Sequence, residues 1–479
     1  MPEFEFVNVT QPGDVKREST RIRRHVMKDI GRSRRKPRAK RRGEAALGEH
    51  IAAASGDSGA SAATNNNEAS MSQALVVPNP NADSALNTTA YPIEMNDERL
   101  NLIRFMVEDA RSVYKPFRFP WLSMGLSDSA AWQITLANAE LFRNSESGAR
   151  KPEFNTNVEA MKWYTLSLAS ISKRLADAFE DGSEGLVVAV TGFLCHDSYT
   201  GNFERMEIHM KGLKRLVESR GGLEALDNPF LRLMISWLDL AIATYLNISP
   251  FFGVPRGSIT EIDTGNDTEY LEQLLGTWNA NCLYLGDIMG AIKATAAVAS
   301  YINRHSDFWK DDITGARLLG PAFHEILNLE GQPLPSLSEP RYHAVAAREA
   351  FRRAALVFLA AIKVKMGAGA YEMERHLDAF RQISQLPLVE WTVVPELSLW
   401  AHITSAMQEA SHNRAWHVLT IVGIMETLGL QSSHQALDLA KGIIWVDALA
   451  VGKSDILCRE IDSLVEANML QCLHDLPLA

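Results

Sequence analysis

Cysteine is scarce in this chain of 479 residues: there are four, Cys195, Cys282, Cys458 and Cys472, and none among the first 194. Thiols spread this way cannot build the disulfide frame of a small secreted domain, and none has a partner at metal-site spacing. They are expected to be reduced, buried thiols of an intracellular protein. Long apolar runs are lacking too. Residues 354–362 (AALVFLAAI) make up about half of the stretch needed to cross a bilayer, so no membrane partner is expected. Glu3 and Glu5 stand where an apolar h-region would be needed, which excludes a secretory signal and speaks against a mitochondrial presequence.

Catalytic signatures are missing as well. HExxH, G-x-S-x-G and G-x-G-x-x-G do not occur. Gly452-Lys453-Ser454 looks like the tail of a phosphate loop, but Asp447 occupies the position of its first glycine, and capping of the last helix explains the triplet better. Cys195-His196 and Cys472 with His474 have no second pair nearby; the first reads as a buried cysteine beside a surface histidine. Carboxylates fall on polar helix faces, where solvation is the default. The residues therefore name no catalytic group, no metal and no cofactor, and point away from an enzyme.

Charge is the informative feature that is present. Residues 1–42 carry 14 Lys and Arg against 5 Asp and Glu, a net of +9, while the remainder carries −19 within a whole-chain charge of −10. The cations concentrate at Arg21, Arg23, Arg24, Lys28, Arg32, Arg34, Arg35, Lys36, Arg38, Lys40, Arg41 and Arg42. A solvated arm is the plain reading; nuclear import, contact with nucleic-acid phosphates, or both are the functional ones. Import is favoured, because short basic clusters in a flexible setting suit it; direct DNA binding is less favoured, because residues 16–42 interleave no aromatic residues for base stacking and imply no fixed geometry for reading base edges. Residues 43–90 are rich in Ala, Ser, Asn and Gly and are expected to form a disordered linker, since they cannot offset their own ordering entropy.

From residue 91 to 479 the pattern is helical, and strand-like alternation is nearly absent. The organising stretch runs from Phe203 to Leu226. Phe203, Met206, Met210, Leu213, Leu216 and Val217 form one apolar stripe, with charged residues opposite. Gly221 is expected to end that helix in a left-handed conformation. Asn228-Pro229 should open the next helix, apolar nearly all round and expected at the centre of the core. Asp128 should cap another. Trp132, Trp163, Trp237, Trp400, Trp416 and Trp445 read as core anchors. The expected fold is all-α: a large, irregular multi-helix domain behind a disordered basic arm and linker.

Residues 209–223 (HMKGLKRLVESRGGL) and the helix that follows resemble the H-M-x-G-L-x-x-(L/M)-V-x-x-R-G-G-L signature of the fungal-specific transcription-factor domain. The matching residues are His209, Met210, Gly212, Leu213, Val217, Arg220, Gly221, Gly222, Leu223, Trp237 and Asp239. Residues 4–12, 21–37, 119–142 and 396–406 resemble a subgroup of the same family. The resemblance implies a helical regulatory domain of a nuclear transcription regulator, with those motif residues in packing roles. It also implies a six-cysteine, two-zinc DNA-binding cluster near the N-terminus, which residues 1–194 have no thiolates to form. Three readings follow: a regulator acting through protein partners, a weak DNA contact through the basic arm, or a truncated gene model. The partners expected are import carriers, the transcription machinery and DNA phosphates, with homodimerisation open. An interaction scaffold that does not bind DNA is the alternative, and a small-molecule sensor or enzyme the least supported.

Overall fold

The architecture is known from a computed structural model that describes residues 89–108, 114–143, 157–176, 183–329, 333–386, 391 and 393–474. The basic arm and nearly all of the linker lie outside the described residues. Within them the chain forms seventeen α-helices, three short 3-10 turns and no strand, as the absence of alternation implies.

Local signals set the helix starts. Asp128 Oδ1 accepts from the amides of Ala130 and Ala131 at 2.8 and 3.2 Å, opening α3 (Ser129–Arg143). Ser183 caps α5 (Glu184–Thr200), and Gly201, at φ 69°, ends it. Asn202 caps α6 (Phe203–Ser219). Asn228 accepts from the amides of Phe230 and Leu231, and Pro229 begins α7 (Pro229–Leu246). These caps take up amides that a helix start leaves without partners, each stabilising by about 1 kcal/mol.

Packing follows the apolar faces. In α6 the buried residues are Phe203, Met206, His209, Met210, Leu213, Leu216 and Val217, the expected stripe with one histidine added. α5, α6 and α7 pack on one another. On the N-terminal side α3 carries α1 (Asp97–Glu108), α2 (Arg118–Gly125) and α4 (Val158–Ala176). Gly192 lets α5 lie close to α3; a Cβ there would stand 2.4 Å from Ile134 Cγ2.

α7 lies in the core as expected, and α11 (Tyr342–Lys365) is buried more completely still, almost along its whole length, including Arg348, Glu349, Arg352, Arg353 and Lys363. It packs against α10 (Asp312–Leu327), α12 (Met373–Ser384) and α13 (Pro395–Ala406). Between α7 and α10 the chain forms α8 (Glu269–Asn281), a 3-10 turn and α9 (Met289–Arg304). The chain closes with α14 (Ser411–Leu428), α15 (Ser433–Lys441), α16 (Asp447–Ala450) and α17 (Ser454–His474). One contiguous apolar core extends from Leu102 to Ile461. Among the described helices α7 has the length and apolarity of a membrane span, yet 61% of it is buried inside the fold.

Five of the six tryptophan anchors are buried and Trp416 is half-buried. Of the thiols, Cys195 and Cys282 are buried and Cys458, on α17, is only half-buried.

Candidate functional site

The α5–α6 joint gathers polar side chains that the sequence disperses. Arg205 and His209 are one helical turn apart and therefore share a face of α6. That face meets Asp197, near the end of α5 and wholly buried. Asp197 Oδ1 accepts from Arg205 Nε at 2.5 Å, and Oδ2 lies 2.7 Å from His209 Nδ1. Burial pulls the Asp197 carboxyl upward, but His209, Arg205 and His196 together outweigh it, so its pKa falls below the usual value. Arg205 also lies over the ring of Tyr164, 5.6 Å from its centroid.

A second chain of hydrogen bonds starts next door. His196 Nδ1 lies 2.8 Å from Asn138 Oδ1, and Asn138 Nδ2 donates to the Tyr114 hydroxyl at 2.8 Å and to the Gly192 carbonyl at 3.2 Å. The amide oxygen accepts, so His196 carries its proton on Nδ1. This histidine is fully buried, contrary to the surface position expected, because Asn138 satisfies it inside the core. Burial pushes its pKa down to about 3, which keeps the ring neutral. The expectation that carboxylates lie on solvated faces fails likewise at Asp197, Asp239 and Glu349, each fully buried with polar partners.

These chains back onto a partly enclosed cavity of about 390 Å³. The segment before α2 contributes Tyr114, Lys115 and Phe117; α3 contributes Phe142; α5 contributes Cys195, Ser198 and Tyr199. α7 supplies Met234, Trp237, Leu238 and Ala241, and α11 with the turn after it supplies Lys363, Val364, Gly367, Ala368, Gly369 and Tyr371. Tyr199 makes edge contacts with Phe142 at 4.7 Å and Tyr114 at 6.0 Å, and accepts from the Tyr114 amide. Lys363, also in the wall, pairs with Glu372 at 2.5 Å and lies 5.7 Å from the Trp237 ring centroid and 5.8 Å from that of Phe323. Lys115 Nζ donates to the Met366 carbonyl at 3.2 Å and pairs with Asp312 at 3.4 Å. Burial, aided by Asp197, pushes the Cys195 thiol well above its usual pKa, so it stays protonated and a poor nucleophile. The arrangement can hold a small molecule; no nucleophile in it is paired with a base.

A model of the fungal specific transcription factor domain matches residues 106–386. The chain belongs to that family. No curated protein and no solved structure matches it. Every cavity-lining residue, from Tyr114 to Tyr371, falls inside the matched stretch of this transcription-factor domain. So do the motif residues. Met210, Leu213 and Val217 are fully buried on α6, and Arg220 is its half-exposed C-cap. Gly221 and Gly222, at φ 100° and 99°, turn the chain into the next 3-10 segment, which Leu223 begins. His209 holds Asp197, and Trp237 forms a cavity wall. Asp239 receives the amides of Phe251 and Phe252 at 2.9 and 2.8 Å, fastening the loop after α7, and burial against those amides places its pKa at about 7. Gly212 sits inside α6, where a Cβ would meet nothing within 4 Å.

The two-zinc cluster of the resemblance does not fit this chain. Residues 1–194 hold no cysteine, and among the described residues no group of three His, Cys, Asp or Glu is placed to hold a metal. The basic residues from Arg21 to Arg42 lie outside the described residues. Sequence reasoning missed Asp197, Asn138, Tyr199 and Lys363. A buried carboxylate leaves no periodic signal; only the Arg205–His209 spacing on the motif helix hinted at a shared partner.

Proposed function

We propose that this protein is a nuclear transcription regulator whose helical body is the regulatory part and whose basic arm addresses it to the nucleus. The observation that carries this reading is the family match over residues 106–386. The charge distribution supports the second half: a net +9 in residues 1–42, against a strongly acidic remainder, suits binding to import carriers and to polyanions. Any DNA contact through the arm neutralises phosphates without reading base edges. Regulation then proceeds through partners in the transcription machinery, with the arm adding a sequence-independent hold on DNA.

The test compares fluorescent fusions of the intact chain and one lacking residues 16–42. Nuclear accumulation should be lost on deletion; an unchanged nuclear signal removes the addressing role. Chromatin occupancy of the intact chain, compared with one lacking the first 42 residues, reads the DNA contact. In vitro, log affinity should fall against log salt with a slope of about −0.9 per phosphate neutralised. Co-purification of a specific regulator with no DNA retention would instead make the protein an interaction scaffold. Sedimentation of the full chain decides between monomer and homodimer.

A further inference from the structure

We infer that the cavity between α5, α7 and α11 binds a small aromatic carboxylate. Its lining includes two ammonium groups, Lys115, already paired with Asp312 at 3.4 Å, and Lys363, while no Asp or Glu side chain lines the cavity itself. Lys363 is 4% exposed, and of its three N–H donors Glu372 takes one. The other two remain for an acceptor, at a depth where water screens poorly. In the wall of the same cavity, Tyr199 uses its hydroxyl oxygen to accept the Tyr114 amide, which leaves its O–H free to donate, and Ser198 adds a second hydroxyl. Oxygen acceptors on the ligand match this donor set; a cation does not.

The remaining walls specify the body of the ligand. Phe142, Tyr199, Trp237 and Tyr371 line it with aromatic rings, beside Met234, Leu238 and Val364. A flat, unsaturated group gains both burial and aromatic contact there. The volume of about 390 Å³ accommodates about a dozen non-hydrogen atoms at liquid-like packing. That suits a one-ring acid and is cramped for a nucleotide. A ligand seated on Tyr199 also touches the residue that holds Tyr114, whose hydroxyl bonds to Asn138 and through it to His196. Occupancy therefore bears on the packing of α3 against α5, next to the Asp197–His209 joint of the motif helix. The inference names an effector class for the regulatory reading, but its test reads binding alone, so either can fail without the other.

The experiment is calorimetric titration and thermal melting of the full-length protein with benzoate, 4-hydroxybenzoate and cinnamate, with their primary amides, and with inorganic phosphate. At least one carboxylate should bind saturably at one site and raise the melting temperature, with its amide roughly tenfold or more weaker. Replacing both members of the buried pair, Lys363→Met with Glu372→Gln, leaves no charge unpaired and should weaken the carboxylate by a similar factor. Ala241→Phe, which fills the cavity from α7 and keeps Lys363, should abolish binding. The inference is overturned if no carboxylate binds, if the amide or phosphate binds as well as the acid, or if binding survives both variants. Should a variant fail to fold by circular dichroism, the acid–amide comparison on the unaltered chain still decides.

Discussion

At Gly222 the backbone adopts φ 99° and ψ 178°, a region that a Cβ closes to other residues. Gly212, ten residues earlier in the same motif, has ordinary helical geometry and open space around it. Gly222→Ala should therefore cost roughly 1–3 kcal/mol, whereas Gly212→Ala should be neutral or stabilise by up to about 1 kcal/mol. Urea unfolding of the two variants checks this, and equal destabilisation would show that the motif glycines serve close packing instead. At Asp197 the balance is electrostatic. Asp197→Ala leaves Arg205 buried beside the ring of Tyr164 with its carboxylate gone, and should cost about 3–5 kcal/mol. A loss below about 1 kcal/mol would mean that water reaches the joint.

At the level of whole helices, α6 and α11 contrast. Along α6 the apolar spacing by itself marks most of the buried face, because its charged residues other than Arg205 point largely to solvent and its stripe packs against α5 and α7; Arg205, placed by the spacing on the charged side, instead turns to the buried Asp197. In α11 the same kind of pattern misleads. Glu349 Oε1 accepts from Arg353 Nε at 2.5 Å, Arg352 donates to the Ile326 carbonyl at 3.0 Å and to Asn247, and Arg353 reaches His376 at 2.8 Å. The polar face of α11 is as buried as its apolar one because these groups satisfy each other across four elements. Charged residues read as a solvated face only when their partners are unknown. Glu349→Gln keeps the shape but leaves two buried guanidinium groups short of a counter-charge; it should cost about 3 kcal/mol or more, measured by denaturant midpoint. A change under about 0.5 kcal/mol would mean that the arginines are held by backbone carbonyls alone. A single residue such as Asn228 was legible as a helix start, since its role depends only on its chain neighbours.

For the molecule as a whole, acid sensitivity follows from buried histidines. Burial lowers the pKa of His196 to about 3 and of His417 to about 4, and holds His376 and His402 well below the usual value, with neighbouring arginines or histidine adding to the shift in His376, His402 and His417. Their folded pKa values lie below the unfolded one, so the unfolded chain binds more protons, and stability falls as pH drops below about 6.5. His196 and His417 should each remove about 2 kcal/mol by pH 5, and His376 and His402 act in the same direction. Asp239 acts in the opposite sense: with a folded pKa of about 7, its contribution is lost as pH rises through neutrality, offsetting roughly one histidine. The melting temperature should therefore drop clearly between pH 7 and pH 5. In His417→Gln that drop should shrink by about 2 kcal/mol equivalent; an unchanged pH profile would show that His417 is protonated in the fold or reached by water.

What the sequence determined alone was whatever depends on near neighbours in the chain: the helical class, the caps at Asp128 and Asn228, the α6 stripe, the turn at Gly221 and the charge contrast between the first 42 residues and the rest. Family membership was legible for the same reason, since its motif lies within one helix and the next. Tertiary structure decided the rest. It brought Asp197 to Arg205 and His209, buried His196 on Asn138, buried the charged face of α11, and set Lys363 and Tyr199 in the wall of one cavity. Those partnerships join residues on different elements, from 8 positions apart at Asp197 and Arg205 to 58 at His196 and Asn138, and no periodicity within one helix encodes a contact between two.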